Sequence, residues 1–551
     1  MIMKELIQID DNFTEIFNSK IIGHEQRLTI EFTRMVDAAY YLYHYTNYKE
    51  IKETFEFYTY AWPHVLLTVY KDFTNTSGYP LFSTESQFAG ELLLHYAKRM
   101  QLKKIMDLYK TQLIDICKNE NDFHVEICVE SFGQEDIERK DYHFCLDEEK
   151  RNINNLFKTI LDKQKLTVKQ MDNNVFVFMD KYIGYNTDHD IDMFFMLEGL
   201  KHSEIYYGYY DFPDEAKFGS IPYELYRRAA AGVVGIALKH ITYCSRLIKK
   251  NKEIDPVNIL TTWKLSKEVV EDIMLIIGVE RGTAEKIFRV LQITPNELSE
   301  MYKVLHNSFP MFLEVGNGIV IRSIIGCLVE PYMFLMSRLR YLYQSDWDRE
   351  IDKREKIFRE QLYSLFDNDD YLVINRNINI YSDGILLTDI DAAIIDKNTK
   401  TLGVFQLKWQ EPFGTNMIER NSKQRNFIKK SNEWVNTVIS WFDHSDSNII
   451  SSTFGISKDI IDDIKEIKYF VIGRNFSKFS NSSIILDSRS AWGNWYQIRR
   501  ILKKRNSDHL NNLFNELIIE FNEAQENKPL IDKEIFEFGG AKFHINGTIH
   551  E

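Results

Sequence analysis

The stretch from Gly384 to Trp409, GILLTDIDAAIIDKNTKTLGVFQLKW, is the strongest constraint on what this chain can fold into. Two apolar runs flank a polar centre, the pattern of two strands and a turn. Strand side chains alternate between faces, so Leu387, Asp389, Asp391, Ala393 and Ile395 share one face of the first run. Val404, Gln406 and Lys408 share one face of the second. Both runs are apolar on either side of these polar positions, which predicts a sheet covered on both faces. Such a hairpin needs helices above and below it, and its polar side chains need partners inside the sandwich.

The turn decides which residues meet. If Asn398 and Thr399 form a two-residue loop, paired positions sum to 797, placing Asp391 opposite Gln406 and Asp389 opposite Lys408. Threonine suits the second loop position less well than glycine, so a longer or bulged turn stays open. The ordinary account of the cluster is an exposed hairpin face with an Asp389–Lys408 ion pair, contributing about 1 kcal/mol or less. Metal-assisted phosphodiester hydrolysis is the chemistry that would use the whole set. Magnesium takes hard oxygen donors, here the Asp391 carboxylate, the Gln406 amide oxygen and the Leu407 backbone carbonyl. Lys408 would then hold the attacking water or balance charge developing on the phosphate.

The surrounding patterns set the hairpin in an α/β order. A helical pattern, REIDKREKIFREQLYSLF, precedes strand-like YLVINRNINIY and then the hairpin. A long helix NSKQRNFIKKSNEWVNTVISWF follows, then a strand IKYFVIG and a helix WYQIRRILKKRNSDHLNNLFNELIIEFNEA. The expected fold is a central mixed sheet flanked by helices.

DIDAAIID, the fifteen-residue step from Asp391 to Gln406, and QLK together resemble the core of the PD-(D/E)XK nucleases, the restriction-endonuclease-like superfamily. The Gln-x-Lys form is similar to the branch that includes Mrr-type restriction enzymes. The resemblance covers Asp348 to about Ser480. It implies catalytic roles for Asp391, Gln406 and Lys408, bound Mg2+ or Mn2+, and a glutamate on the preceding helix. Glu355 is the choice for that glutamate, because Phe358 and Leu362 follow at helical spacing; Glu360 is the alternative. Ile390 stands where the family often has proline, and Gln406 replaces an acid, which removes one negative charge from the metal site. The implied activity is a metal-dependent nuclease, expected to be an endonuclease on DNA, in restriction or antiviral defence, with DNA repair as the competing context. The alternative is a catalytically silent, nuclease-like interaction or nucleic-acid-binding protein.

Whole-chain properties frame this reading. A chain of 551 residues exceeds what one hydrophobic core usually serves. Residues 1–343 are expected to be a mainly helical recognition region with a small β insertion, from FHVEICVESFG and NNVFVFMDKYIGY. Residues 344–530 would be the nuclease-like domain and 531–551 a C-terminal tail. The net charge of −13 argues against indiscriminate coating of nucleic acid, but not against a local basic groove. Arg420, Lys423 and Arg425 open the helix beside the hairpin and are the expected phosphate contacts; Arg499, Arg500 and Lys503 read as a solvated face. The helical region would take a protein partner or trigger, and oligomerisation stays open. No signal-peptide pattern and no bilayer-length apolar run is found, so a cytoplasmic protein is expected. Five scattered cysteines without a CxxC pair suggest neither zinc nor disulfides. NTDHDIDMFF is read as a loop with an Asp helix cap, and LEVGNGIVIRS lacks the Gly-Lys-Ser/Thr of a phosphate loop.

Overall fold

A computed structural model describes residues 2–46, 48, 50–71, 73, 81–112, 114–119, 122–127, 132–157, 169–205, 212–301, 309–329, 331–376, 378–410, 417–477, 485–504, 509–526 and 533–546. The chain forms two compact units. Helices dominate the N-terminal part and mixed sheets appear later. Among the described residues, no helix is long and apolar enough to cross a membrane.

The first unit comprises Met1–Met106, Lys150–Glu350 and Phe536–Ala541. Its long helices include Glu25–Tyr45, Ile51–Val69, His189–Glu204 and Tyr223–Lys250. The last two pack backbone to backbone: a Cβ on Gly199 would lie 2.4 Å from the Ala231 carbonyl oxygen, so only glycine fits that crossing. Asp188 caps His189–Glu204 by accepting from the Ile191 amide, as its place before the helical pattern predicts. The hairpin Val175–Phe178/Tyr182–Tyr185 lies where NNVFVFMDKYIGY predicts strands. A four-stranded sheet, in the order Thr262–Leu265, Ile319–Arg322, Phe312–Glu314, Gln292–Ile293, was not anticipated. LEVGNGIVIRS is its central hairpin: Gly316, Asn317 and Gly318 turn with φ of 83°, 54° and 67°, which explains the glycines without a phosphate.

The second unit comprises Asp107–Glu149, Ile351–Ile535 and Lys542–Glu551. The chain therefore does not divide at one point after residue 343. A new helix, Gln344–Ser364, starts at the expected boundary and the second unit resumes within it at Ile351, while FHVEI, placed in the N-terminal region by its alternation, forms the strand Asp122–Ile127 of this second unit. Residues 531–551 are likewise more than a tail: Ala541–Asn546 pairs in parallel with that strand, Phe543 against Phe123. The alternation in AKFHIN is the physical reason, with Ala541, Phe543 and Ile545 buried on one face.

The elements that position the candidate site are α1 (Phe132–Leu156), α2 (Gln344–Ser364), β1 (Tyr371–Val373), β2 (Ile378–Ser382), β3 (Ile385–Ile390), β4 (Ala392–Asp396), β5 (Thr401–Lys408), α3 (Met417–His444), β6 (Glu466–Gly473), β7 (Ser490–Asn494), α4 (Trp495–Lys504) and α5 (Leu510–Glu526). A five-stranded mixed sheet runs β1-β4-β5-β6-β7, antiparallel as far as β5 and parallel beyond it. Phe358 and Leu362 of α2, Ile498 of α4 and Leu513 of α5 cover Ile394, Phe405, Leu407 and Phe470 on one face. Ile428, Trp434, Val435 and Val438 of α3 cover Ala393, Ile395, Val404 and Val471 on the other. Every residue of β4 is buried, as the apolar runs on both faces predict.

The hairpin keeps the expected register, Ala392 pairing with Phe405 and Asp396 with Thr401 so that positions sum to 797, and takes the longer turn that the sequence left open, Lys397–Lys400. The buried Asp396 carboxylate holds that longer turn by accepting from the Asn398 and Thr399 amides at 2.9 and 3.1 Å. The chain also breaks at Asp391: β3 leaves the central sheet and pairs with β2 through the two-residue loop Asp383–Gly384, whose φ values are 50° and 78°.

Candidate active site

Asp391 sits at the break between β3 and β4 and is 5% exposed; Gln406, in the middle of β5, is 3% exposed. The Asp391 amide donates to the Phe405 carbonyl at 3.2 Å, which ties the break to β5. Asp391 Oδ2 accepts from the Leu407 amide at 2.7 Å and from Gln406 Nε2. Its other oxygen, Oδ1, carries no hydrogen bond among the described residues. Burial pushes the Asp391 carboxyl up to about 7; Lys408 and the Leu407 amide oppose that rise, while Glu355 and Asp389 add to it.

Glu355, on α2, keeps much of its residue surface open to solvent, but its carboxyl end is crowded by protein. That desolvation raises the carboxyl, with Asp389 and Asp352 adding to the shift and Lys408 and Arg359 opposing it. Lys408, at the half-buried end of β5, thus acts on both Asp391 and Glu355. It makes no ion pair within 4 Å among the described residues. Glu360 points elsewhere, to Lys356 at 3.8 Å on the exposed side of the helix, so Glu355 is the glutamate that reaches the cluster.

The expected Asp389–Lys408 cross-strand pair does not form. Asp389 is opposite Asn379 in the β2–β3 ribbon, because the chain bends at Asp391 before it joins β5. Trp434 of α3 fixes that ribbon by donating Nε1 to the Asp389 carbonyl at 2.7 Å. Gln406 also differs from expectation. Its amide nitrogen is turned to Asp391, so its oxygen and the carboxylate are not presented together to one ion; exchanging the amide's two ends would present the oxygen.

Among the described residues, no three His, Cys, Asp or Glu side chains form a group able to hold a metal. The donors that do gather are two carboxylates, Asp391 and Glu355, with the Leu407 carbonyl and the Gln406 amide. These are hard oxygens and too few to strip a cation of its waters, a set that fits magnesium and not zinc. The unbonded Oδ1 of a buried, electrostatically strained Asp391 is the atom a divalent cation would relieve.

Arg420 and Lys423 fall in the first turns of α3, but their side chains lie outside the described residues. Arg425, Lys429 and Lys430 are exposed on the same helix. The later cluster is not a solvated face. Arg499 pairs with Glu149, Arg500 with Asp141 and Glu520, and Lys503 with Glu148, which leaves those cations engaged by α1 and α5. Two residues of the site were not read from the sequence. Arg359, one turn after Glu355, donates to the Asp391 carbonyl at 3.3 Å; its four-residue spacing from Glu355 was the available signal. Arg474 donates its amide to the Lys408 carbonyl at 2.8 Å and stacks on Phe358, Trp409 and Trp495, an arrangement made by the β5–β6 pairing with no local sign.

No family model matches the chain, and neither a curated protein nor a solved structure matches it.

Proposed function

We propose that the second unit is a magnesium-dependent nuclease on a restriction-endonuclease-like core, hydrolysing phosphodiester bonds of DNA. The observation that supports this reading is the mutual electrostatic influence of Asp391, Glu355 and Lys408 near the end of β5, with no ion pair of Lys408 within 4 Å among the described residues. When bound, magnesium supplies a positive centre for the phosphate and lowers the pKa of a coordinated water. Asp391 and Glu355 would hold the ion, with the Leu407 carbonyl and Gln406 completing the donor set. Lys408 would orient the attacking water and offset charge on the non-bridging phosphate oxygens as the new P–O bond forms and the leaving P–O bond breaks. Arg425, with Arg420 and Lys423, would track the backbone phosphates. The restriction or antiviral defence role expected from the family branch rests on the resemblance alone.

A second reading has one observation in its favour: the Gln406 amide is turned inward onto Asp391, as in a site that no longer binds metal. The deciding experiment incubates purified protein with plasmid, single-stranded DNA and RNA, with and without MgCl2, beside folded Asp391→Ala and Lys408→Ala variants. The nuclease reading expects magnesium-dependent cleavage of DNA by the wild type and loss of about 10²-fold or more in both variants. Cleavage that survives both substitutions would sink this site. Binding of DNA without cleavage, unchanged by Asp391→Ala, would favour the silent binding protein.

A further inference from the structure

The first unit buries a cation for which its described residues provide no paired counter-charge. Arg322 ends the strand Ile319–Arg322, opposite Thr262 on one neighbour and Phe312 on the other, and is 7% exposed. Its Nε is buried and unbonded, and no hydrogen bond or ion pair of this side chain exists among the described residues. This is unusual beside the other buried arginines of the same unit. Arg338 pairs with Glu297 at 3.2 Å, and Arg34 donates to Asn258 at 2.7 Å and to the Val257 carbonyl at 3.0 Å.

Four titratable groups that feel the Arg322 charge are themselves neutral. His240 donates Nε2–H to the Ile259 carbonyl at 2.7 Å, so its Nδ1 accepts from the Tyr185 hydroxyl at 3.0 Å. Burial pushes that imidazole down to about 3, and Arg322 adds to the shift. Burial pushes the Tyr185 hydroxyl and the Cys327 thiol up to about 12, and raises Cys244 further. The nearby carboxylate, Asp37, is engaged by Thr261 at 2.6 Å, by Ser323 at 2.9 Å and by the Ile325 amide at 2.9 Å. A guanidinium whose Nε is shut away from water without an acceptor is costly unless something completes it.

We infer that Arg322 is the anchor of a binding site for a small oxyanion, a phosphate monoester or a carboxylate, gripped through two coplanar oxygens by the guanidinium fork. The Tyr185–His240 pair and the two thiols feel the Arg322 charge but are neutral and supply no counter-ion, so selection would rest on charge and fork geometry. This site belongs to the helical unit and does not depend on the nuclease reading. It gives that unit a small-molecule input.

Thermal melts of the full chain test it. Sodium phosphate, adenosine monophosphate and sodium acetate are each compared with sodium chloride at equal ionic strength. Wild type should gain several degrees with at least one oxyanion and none with chloride; phosphate and acetate arms tell the phosphoryl from the carboxylate source. Arg322→Met should abolish that gain while leaving the ligand-free melting temperature unchanged or higher, because it removes an uncompensated charge. If that variant fails to fold, Arg322→Lys, which keeps the charge and loses the fork, should still reduce the gain. Equal shifts in chloride, or an oxyanion shift undiminished in the arginine variants, or no shift in the wild type, would overturn the inference.

Discussion

Burial leaves the Asp391 carboxyl in conflict with its own charge. Its pKa in the folded chain is about 7 against an ordinary 3.8, so between those values the folded state holds a proton that the unfolded state has lost. Its contribution to stability is therefore complete below about pH 4 and disappears as the pH rises through 7, a swing on the order of 4 kcal/mol. Asp391→Asn keeps the shape and the acceptor for the Leu407 amide but cannot ionise. The expected outcome is a flatter denaturant midpoint between about pH 4 and 7 and a gain over wild type at about pH 8. Asp37, also raised, lies in both proteins and cancels in that comparison. Magnesium should reverse the wild-type penalty at the higher pH by binding the ionised form, and should do nothing for Asp391→Asn. A magnesium-dependent rise in melting temperature that persists in Asp391→Asn would place the ion elsewhere. At this scale the sequence was informative about identity and less so about orientation: alternation alone put Asp391 beside Gln406, but no pattern shows which end of an amide turns inward. The role given to Asp389 failed for a related reason, since a bend of one residue separates two strands that periodicity reads as one.

The β2–β3 ribbon shows where that bend could have been anticipated. Asp-Gly between strand-like runs is a strong two-residue hairpin signal, and both residues have positive φ. The apolar continuity from Ile385 to Ile395 hid it, because a strand that crosses from one sheet to another keeps its alternation. At Gly384 nothing lies within 4 Å of the position a Cβ would take, so a side chain there meets no clash and only the backbone conformation is strained. Gly384→Val should therefore cost about 1–2 kcal/mol, read as a lower urea midpoint, whereas Gly384→Asn should be nearly neutral. The ribbon also hangs on α3 through the Trp434 and Trp441 indoles, which donate to the Asp389 and Tyr381 carbonyls at 2.7 and 3.1 Å. Trp434→Phe keeps most of the apolar burial and removes one of these bonds, so about 1 kcal/mol of stability is the expected loss. On the same helix, Arg425, Lys429 and Lys430 are exposed and able to meet phosphates. Replacing Arg425 with Ala should lower the slope of log affinity for DNA against log salt by about 1, measured by fluorescence anisotropy, with equal effect on every DNA sequence. An unchanged slope would remove this helix from the nucleic-acid path.

For the whole molecule, the cut between residues 343 and 344 is the reading that long-range packing overturned. Hydropathy and composition change there, but they register neighbours in sequence, and residues 107–149 belong with the later sheet through contacts such as Glu149 with Arg499, 350 positions apart. Cys145 is buried in the core with Tyr496 and Ile498, and its thiol donates to the Tyr496 carbonyl at 3.6 Å. Asp141, itself buried, and Glu520 clamp Arg500 from two helices, so removal of α1 would leave a mostly buried guanidinium with half its counter-charge. Breaking such a pair from one side costs about 3–5 kcal/mol, comparable with the net stability of a typical domain. A fragment spanning 344–551 should therefore be insoluble or molten, with poor near-ultraviolet dichroism, while a chain that carries residues 107–149 ahead of it should fold cooperatively. Asp141→Ala in the full chain should destabilise the second unit by a few kcal/mol, and Asp141→Ala with Arg500→Met should recover most of that loss, because the stranded charge goes with its partner. A soluble, cooperatively melting 344–551 fragment would show that α1 merely leans on the sheet, and the sharp boundary read from composition would then be the physical one.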